Sequence, residues 1–346
     1  MLLKILSAII RNSFVLMVLL VLFQMKSYAQ DPHFSQFFAS PLTLNPAFAG
    51  KFDGDVRAGI NFRNQWSSVN NAYRTVTAAV DMPILTNTID SRDRLGIGVM
   101  GYSDRTANGA ANFNYASFTA AFHKGLDEFG YHQIGLGLQG TYGNMVINTS
   151  KLQFEDQLTT LGFTNVTSEN FSNSTLKNHY FDMSAGLLYT GSSSEKDNYY
   201  FGISAYHLNS PRQNFTEGNY YIKPRYTFHG GTYFPIGEIT TLHLSALHSI
   251  QAGAHETVAG GTIQFALNDE FNAVNPTNFY AGGWMRFGDA IIPYIGLDYS
   301  GFRLGLSYDV TTSQAKTIAN SRGGVELSLI YIFRNNNKGY LPCPKF

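Results

Sequence analysis

The sequence has one cysteine, Cys343, among its 346 residues, and few charged side chains. A single cysteine excludes an internal disulfide framework and any CxxC metal or redox motif. Charged residues make up 14% of the chain, against about 25% in an ordinary soluble domain, which is too few to cover a soluble surface of this size. Because 24 basic residues balance 24 acidic ones, no net charge attracts nucleic acid, and we expect no nucleic-acid partner.

Long apolar runs are also missing beyond the N-terminal region, which excludes spanning helices there, since these need about 20 apolar residues. The one unbroken run, residues 14–23, is too short to cross a bilayer; it follows Lys4 and Arg11 and precedes small residues. This order predicts a signal peptide over residues 1–29, cleaved after Ala29. We therefore expect an exported protein.

Aromatic residues and glycine are abundant, with 27 Phe, 21 Tyr and 33 glycines. Apolar and polar residues alternate with period two over segments of about ten residues, and turn-forming residues separate the segments. In residues 302–310, Arg303 and Asp309 share one face, and the other face carries Phe302, Leu304, Leu306, Tyr308 and Val310. A charge on a lipid face costs about 2–4 kcal/mol, so the charged face is expected to line a lumen.

Such segments predict an all-β fold, a transmembrane antiparallel barrel of about fourteen strands in the outer membrane, in contact with its lipid. The predicted strands are residues 55–63, 72–82, 94–104, 112–123, 131–146, 178–190, 198–209, 224–236, 240–250, 254–267, 278–287, 290–299, 301–312 and 321–334. A soluble sandwich is disfavoured because aromatic residues cluster toward strand ends, as at residues 199–201 and 220–221.

The predicted strands divide the chain into a signal peptide (1–29), an irregular segment rich in proline and aromatics (30–54), the barrel (55–334) and a periplasmic tail (335–346). The two longest connections, residues 147–176 and 210–223, both follow odd-numbered strands. Extracellular loops exceed periplasmic turns in such barrels, so both barrel termini are expected to face the periplasm.

The stretch 31–50 suits neither a strand nor a helix, since Pro32, Pro41 and Pro46 remove backbone donors and favour extended neighbours. It nevertheless carries too much apolar surface for a free tail, in Phe34, Phe37, Phe38, Leu42, Leu44 and Phe48. We expect the prolines to fix an extended path and the phenylalanines to fill or cap the barrel mouth. Two locations remain open for this stretch, the lumen and the periplasmic rim. Two roles also remain open: a plug of the barrel, or a docking segment for a partner.

No catalytic, metal or cofactor set is recognisable, so we expect no enzyme activity and no cofactor. Histidines are scattered over separate strands, and a G-x-S-x-G motif is absent. Glycine pairs such as Gly96 with Gly98 and Gly135 with Gly137 lie within strands, and we interpret them as relieving crowding on the inner wall. A lumen ladder of ion pairs is expected from Arg57, Arg63, Arg74, Arg94, Arg225, Arg286 and Arg303 with Asp81, Asp182, Asp298, Asp309 and Glu326.

Six stretches, in this order, resemble the PorP/SprF family of outer-membrane proteins, which is associated with type IX secretion and gliding motility. They are residues 31–37 (DPHFSQF), 41–50 (PLTLNPAFAG), 63–66 (RNQW), 201–211 (FGISAYHLNSP), 304–309 (LGLSYD) and 343–346 (CPKF). The first is the most specific. The resemblance implies a barrel without chemistry, whose partners are type IX secretion components or a large secreted surface protein such as an adhesin.

A core secretion component and a paralogue dedicated to one secreted adhesin both fit this resemblance. The alternative from another class is an outer-membrane channel or transporter for a small or hydrophobic solute, with residues 31–50 as an internal plug. In either case the candidate plug or partner contacts are Asp31, Pro32, Phe34, Ser35, Gln36, Phe37, Pro41, Leu42, Asn45, Pro46, Ala47, Gly50, Gln65, Trp66, His207, Cys343, Pro344 and Phe346.

Overall fold

The computed structural model describes residues 31–66, 73–86, 88–160, 162–164, 166–171, 173–194, 197–215, 220–268, 277–314, 316–319 and 322–334. The predicted signal peptide and the predicted tail, with Cys343, Pro344 and Phe346, lie outside these residues. Within the described part of the chain, no helix is both long and apolar enough to cross a membrane.

Fourteen antiparallel strands close into a barrel. They are β1 (Val56–Gln65), β2 (Tyr73–Ile84), β3 (Arg94–Thr106), β4 (Ala111–Gly125), β5 (Gln133–Asn148), β6 (Thr175–Gly191), β7 (Asn198–Tyr206), β8 (Arg225–Pro235), β9 (Thr240–Gln251), β10 (Ala254–Ala266), β11 (Thr277–Arg286), β12 (Ala290–Tyr299), β13 (Phe302–Thr311) and β14 (Arg322–Phe333). Sequence neighbours pair, and β1 closes on β14. The predicted fold class is confirmed, and each predicted boundary lies within a few residues of the observed one.

The barrel has two unlike ends. The chain enters β1 and leaves β14 at one end, called here the terminal end, and odd-numbered strands run from it to the opposite, loop end. The two longest connections, residues 149–174 and 207–224, both lie at the loop end. The first contains a small ladder in which Leu158–Thr159 pairs with Gly162–Phe163.

Alternation along the strands separates an outer face from a lumen face, as the sequence predicts. On β13, Leu304 is 52% exposed and Asp309 only 3% exposed. The prediction that Arg74 lies in the lumen is wrong, because its side chain is exposed on the outer face. The reason is the register of β2, which turns Thr75 and Thr77 inward, where both are buried.

Ahead of β1, residues 31–53 form an irregular segment inside the barrel, called here the lumen segment. It contains three short helical turns, at Phe37–Ala39, Pro41–Leu44 and Pro46–Phe48. The expected extended path is therefore wrong over these turns. Pro41 and Pro46 each begin a turn, because the fixed φ of proline suits the first helical position.

The lumen segment runs lengthwise through the barrel. Asp31 contacts His207 and Gln251, beside the loop ends of β7 and β9. Lys51 contacts Gln133, the first residue of β5, at the terminal end. The segment therefore begins at the end of the barrel opposite to the start of β1, a placement that the sequence does not predict.

Candidate functional site

Ser35 and Gln36 of the lumen segment are held by β13 and β14. The Glu326 carboxylate accepts the backbone N–H of Ser35 at 2.7 Å and that of Gln36 at 2.9 Å. The Gln36 side chain donates to Ser307 Oγ at 3.0 Å and accepts from Ser328 Oγ at 2.6 Å. All five residues are buried. Hydrogen bonds to a charged group contribute about 1.5–3 kcal/mol each, so Glu326 fixes this part of the segment firmly.

A buried ion-pair network holds the other side of Ser35. Asp309 pairs with Arg63 at 2.9 Å and with Arg286 at 3.0 Å. Ser35 Oγ donates to Asp309 at 2.7 Å and accepts from Arg286 at 2.7 Å, while Arg63 donates to the carbonyl of His33 at 2.6 Å. The predicted lumen ladder is therefore present here, but its charges bind the lumen segment as well as each other.

Asp31 attaches the start of the segment to the loop end. β7 ends at Tyr206, earlier than predicted, and His207 adopts a φ of +59° beyond it. Its Nε2 lies 2.7 Å from Asp31 Oδ2 and its Nδ1 2.9 Å from Asp182 Oδ2. Burial alone would lower the pKa of His207, but the two carboxylates raise it to about 9. Burial likewise opposes ionisation of Asp31, yet His207 and Arg225 hold the pKa of Asp31 well below its usual range.

Asn45 is fully buried and binds the wall where β6, β7 and β8 adjoin. Its Nδ2 donates to the carbonyls of Leu187 at 2.9 Å and Ile203 at 3.3 Å, and lies 3.0 Å from His229 Nε2. A Cβ added at Gly186 would overlap Asn45 Oδ1. The amide therefore meets the strands where the wall has a glycine.

Glycines of the wall also make room for the backbone of the lumen segment. A Cβ on Gly96 would overlap the Ala49 carbonyl oxygen and lie 2.8 Å from Gly50 Cα. A Cβ on Gly137 would overlap the backbone nitrogen of Ala47. The interpretation that such strand glycines relieve crowding on the inner wall is confirmed at both positions.

Phenylalanines fill the lumen beside β11 and β12. Phe38 stacks on Trp284 at 4.7 Å between ring centroids and meets Tyr294 edge-on at 5.4 Å. Phe37 contacts the same tryptophan at 6.4 Å. Phe48 packs against the wall further along, edge-on to a tyrosine. Aromatic pairs contribute about 0.5–1.5 kcal/mol beyond the area they bury, so these contacts add to the polar ones.

At the terminal end, Asp81 accepts the backbone N–H of Gly50 at 2.8 Å and pairs with Arg57 at 2.8 Å. Arg57 also donates to the carbonyl of Phe48 at 3.1 Å, and Arg94 donates to that of Phe52 at 2.6 Å. Arginines of the wall, which the sequence predicts to form a lumen ladder, therefore bind the lumen segment at both of its ends.

Two candidate residues lie away from the lumen segment. Gln65 is the last residue of β1, and Trp66 follows it with a φ of +54°. The Trp66 N–H donates to the Gly323 carbonyl at 2.6 Å, and its ring packs edge-on to Tyr73 at 5.7 Å. These contacts join the loop ends of β1, β2 and β14, so Gln65 and Trp66 belong to the barrel wall and stabilise it there.

The other described candidates all belong to the lumen segment or touch it. Leu42 is buried against the wall, and the carbonyl of Pro32 accepts from Tyr102 at 3.4 Å. Phe34 meets the same tyrosine edge-on at 6.3 Å between centroids. The structure therefore brings together Asp31, Pro32, Phe34, Ser35, Gln36, Phe37, Pro41, Leu42, Asn45, Pro46, Ala47, Gly50 and His207.

A cavity of about 140 Å³ remains between the lumen segment and the wall near the loop end. Phe34 and Phe37 line it from the segment, and a row of tyrosines lines it from the wall. Among the described residues, no group of three or more His, Cys, Asp or Glu side chains is arranged to hold a metal ion.

Solved structures similar to this chain are outer-membrane barrels of low identity. The CymD monoaromatic hydrocarbon channel is 10% identical, with a TM-score of 0.46 over 86% of this chain and 94% of that one. A Pseudomonas aeruginosa FadL homologue is 11% identical, with the same TM-score and coverage. The KdgM porin is 7% identical, with a TM-score of 0.36 over 80% and 99%. Similarities this low carry no information on ligand or partner.

No curated protein matches the chain significantly. One family model does match, described as type IX secretion system membrane protein PorP/SprF, and it covers residues 26–331. That span contains the lumen segment, with its motif residues bonded to the wall, and nearly all of the closed barrel. The chain is therefore an outer-membrane β-barrel that belongs to the PorP/SprF family of type IX secretion system membrane proteins.

Proposed function

We propose that this barrel is a non-enzymatic, protein-binding component of type IX secretion, which binds secretion-machine subunits or anchors a secreted surface adhesin. The observation that carries this proposal is the filled lumen. Buried hydrogen bonds hold the lumen segment from Asp31 at the loop end to Gly50 at the terminal end. A barrel filled by its own bonded chain suits the support of surfaces at its two ends better than the passage of solutes.

Each end offers apolar side chains for a partner. At the loop end, Leu158, Phe163 and Val166 of the longest loop are each more than half exposed. At the terminal end, Leu126 and Phe129 in the turn between β4 and β5 are also more than half exposed. Long loops are extracellular in such barrels, so a secreted adhesin would meet the first group and periplasmic machinery the second.

A pull-down from mild detergent, followed by mass spectrometry, tests the role. We expect the tagged protein to recover a secretion-machine subunit or one large secreted protein. Serine substitutions of Leu158, Phe163 and Val166 should abolish recovery of an externally bound partner. Serine substitutions of Leu126 and Phe129 are the matched control and should abolish recovery only of a periplasmic partner. Recovery of nothing from membranes of secreting cells contradicts the proposal.

The channel remains the second candidate, because the loop-end cavity is lined by apolar and aromatic side chains alongside polar ones. A channel for a small or hydrophobic solute requires that the lumen segment move or leave a path. Steady conductance of the intact protein in a planar bilayer favours this candidate, whereas a scaffold conducts little.

A further inference from the structure

Aromatic rings line the loop-end cavity from both the barrel wall and the lumen segment. Three tyrosine rings from β3, β4 and β6 form one wall, with centroids 5.4 Å apart for Tyr102 and Tyr115 and 6.4 Å apart for Tyr115 and Tyr180. Phe34 and Phe37 of the lumen segment contribute the opposite side. The volume of about 140 Å³ is close to that of an apolar cavity known to bind benzene.

Four buried polar atoms of the described lining have no hydrogen-bond partner: His33 Nε2, Asp182 Oδ1, His207 Nδ1 and Arg225 Nε. Asp182 lines the cavity and is 3% exposed. Its Oδ2 lies 2.9 Å from His207 Nδ1, but its Oδ1 has no hydrogen-bond partner. A buried carboxylate oxygen without a donor is costly, and native structures usually supply one. A donor bound beside Asp182 would supply the partner that this oxygen lacks.

The charge balance around Asp182 excludes a cationic occupant. The charges of Asp31 and Asp182 are balanced by those of His207 and Arg225. His207 lies 2.7 Å from Asp31 and 2.9 Å from Asp182, and Arg225 lies 3.5 Å from Asp31. Glu256, a further acid of the lining, is matched by Arg286 at 3.0 Å. The site thus offers an acceptor atom without net negative charge, which suits a neutral O–H or N–H donor.

We propose that this cavity binds a phenolic ring, with the phenol O–H donating to Asp182 Oδ1 and the ring packed among the tyrosines and phenylalanines. Entry is from the loop end, since Tyr206, Arg225 and Gln251 of the lining are terminal residues of β7, β8 and β9 there. The same chemistry is supplied by a free phenol or by a tyrosine side chain of a polypeptide. The site goes beyond the proposed secretion role and stands independently of it.

Isothermal titration of the full-length exported protein in detergent tests this site, with p-cresol, toluene and N-acetyltyrosinamide as probes. We expect saturable binding of p-cresol that Asp182→Asn weakens roughly tenfold or more, as expected for loss of a charged acceptor. Toluene has no donor, so its affinity should stay unchanged in that variant. Asp104→Asn is the matched control: this carboxylate is buried on β3, accepts from Thr75 and does not line the cavity.

Ser249→Phe supplies a second test, because Ser249 lines the same cavity from β9. Filling the cavity should abolish binding of both p-cresol and toluene while the protein keeps the gel mobility of a folded barrel. Tighter binding of N-acetyltyrosinamide than of p-cresol identifies a polypeptide source, and the reverse order a free phenol. Absence of saturable p-cresol binding, or binding that neither variant weakens, overturns the proposal.

Discussion

Glu326 binds backbone groups of the lumen segment where the sequence suggests an arginine partner. Its two oxygens accept the N–H groups of Ser35 and Gln36, which lie 291 and 290 positions away along the chain. A carboxylate with two such donors stabilises a backbone conformation that has few hydrogen bonds of its own. This contact gives a structural reason for the presence of Ser35 and Gln36 in residues 31–37, the most specific of the family motifs.

Glu326→Gln should destabilise the barrel by about 1–3 kcal/mol, because the amide loses the charge and turns an NH₂ group toward one of the two N–H donors. The measurement is the temperature at which the folded band on a detergent gel converts to the unfolded one. Glu238→Gln, in the exposed turn between β8 and β9, is the control and should leave this temperature unchanged. Equal temperatures for both variants contradict the role given to Glu326.

Gly96→Ala should lower the same temperature by displacing the backbone at Ala49 and Gly50. The matched control lies on the same strand: a Cβ on Gly101, on the outer face, has its nearest neighbour at 4.0 Å. Gly101→Ala is therefore expected to be neutral or slightly stabilising, since alanine loses less backbone entropy than glycine. Equal effects of the two substitutions would show that the lumen segment does not press on this wall.

At the scale of elements, the strands were predictable and the lumen segment was not. Period-two alternation continues along many of the strands, as on β13, so local pattern alone marks them. Arg74 lies near a strand end, where the sequence pattern does not fix the face. The pairing of Asp31 with His207 joins residues 176 positions apart, and no local pattern in a single sequence reports such a contact. Pro41 and Pro46 allow both extended and helical neighbours, and tertiary packing selects the turns.

The contact of the lumen segment with the loop end should depend on pH. His207 has its pKa raised from 6.5 to about 9, so its stabilisation is complete below pH 6.5 and is lost as pH rises through about 9. Asp31 has a lowered pKa, so its stabilisation is present above the ordinary value of 3.8 and is lost on acidification. The contact between Asp31 and His207 is therefore most stabilising at mildly acidic pH.

The unfolding temperature of the intact protein is accordingly expected to fall between pH 7 and pH 10. His207→Gln should show a smaller fall, because glutamine does not titrate. His255→Gln, at an exposed position, serves as the control and should reproduce the fall of the intact protein. A fall of the same size in His207→Gln contradicts the assignment.

For the molecule as a whole, the barrel and the lumen segment form one hydrogen-bonded unit. Its contacts extend from Asp31 at the loop end, through Asn45 at mid-lumen, to Gly50 at the terminal end. Besides the apolar outer face of the strands, exposed apolar side chains lie in the loops and turns at both ends. A wall bonded to an internal segment and a surface at each end would suit the secretion or anchoring role proposed above for this member of the PorP/SprF family.

Single-protein conductance in planar bilayers tests the central claim, that the lumen segment fills the barrel, most directly. We predict no steady conductance for the intact protein and steady channel events after serine substitution of Phe34, Phe37 and Phe38. Serine substitution of Phe129, Leu158 and Phe163, exposed outside the lumen, is the control and should stay silent. Steady conductance of the intact protein, equal to that of the lumen variant, would contradict the account.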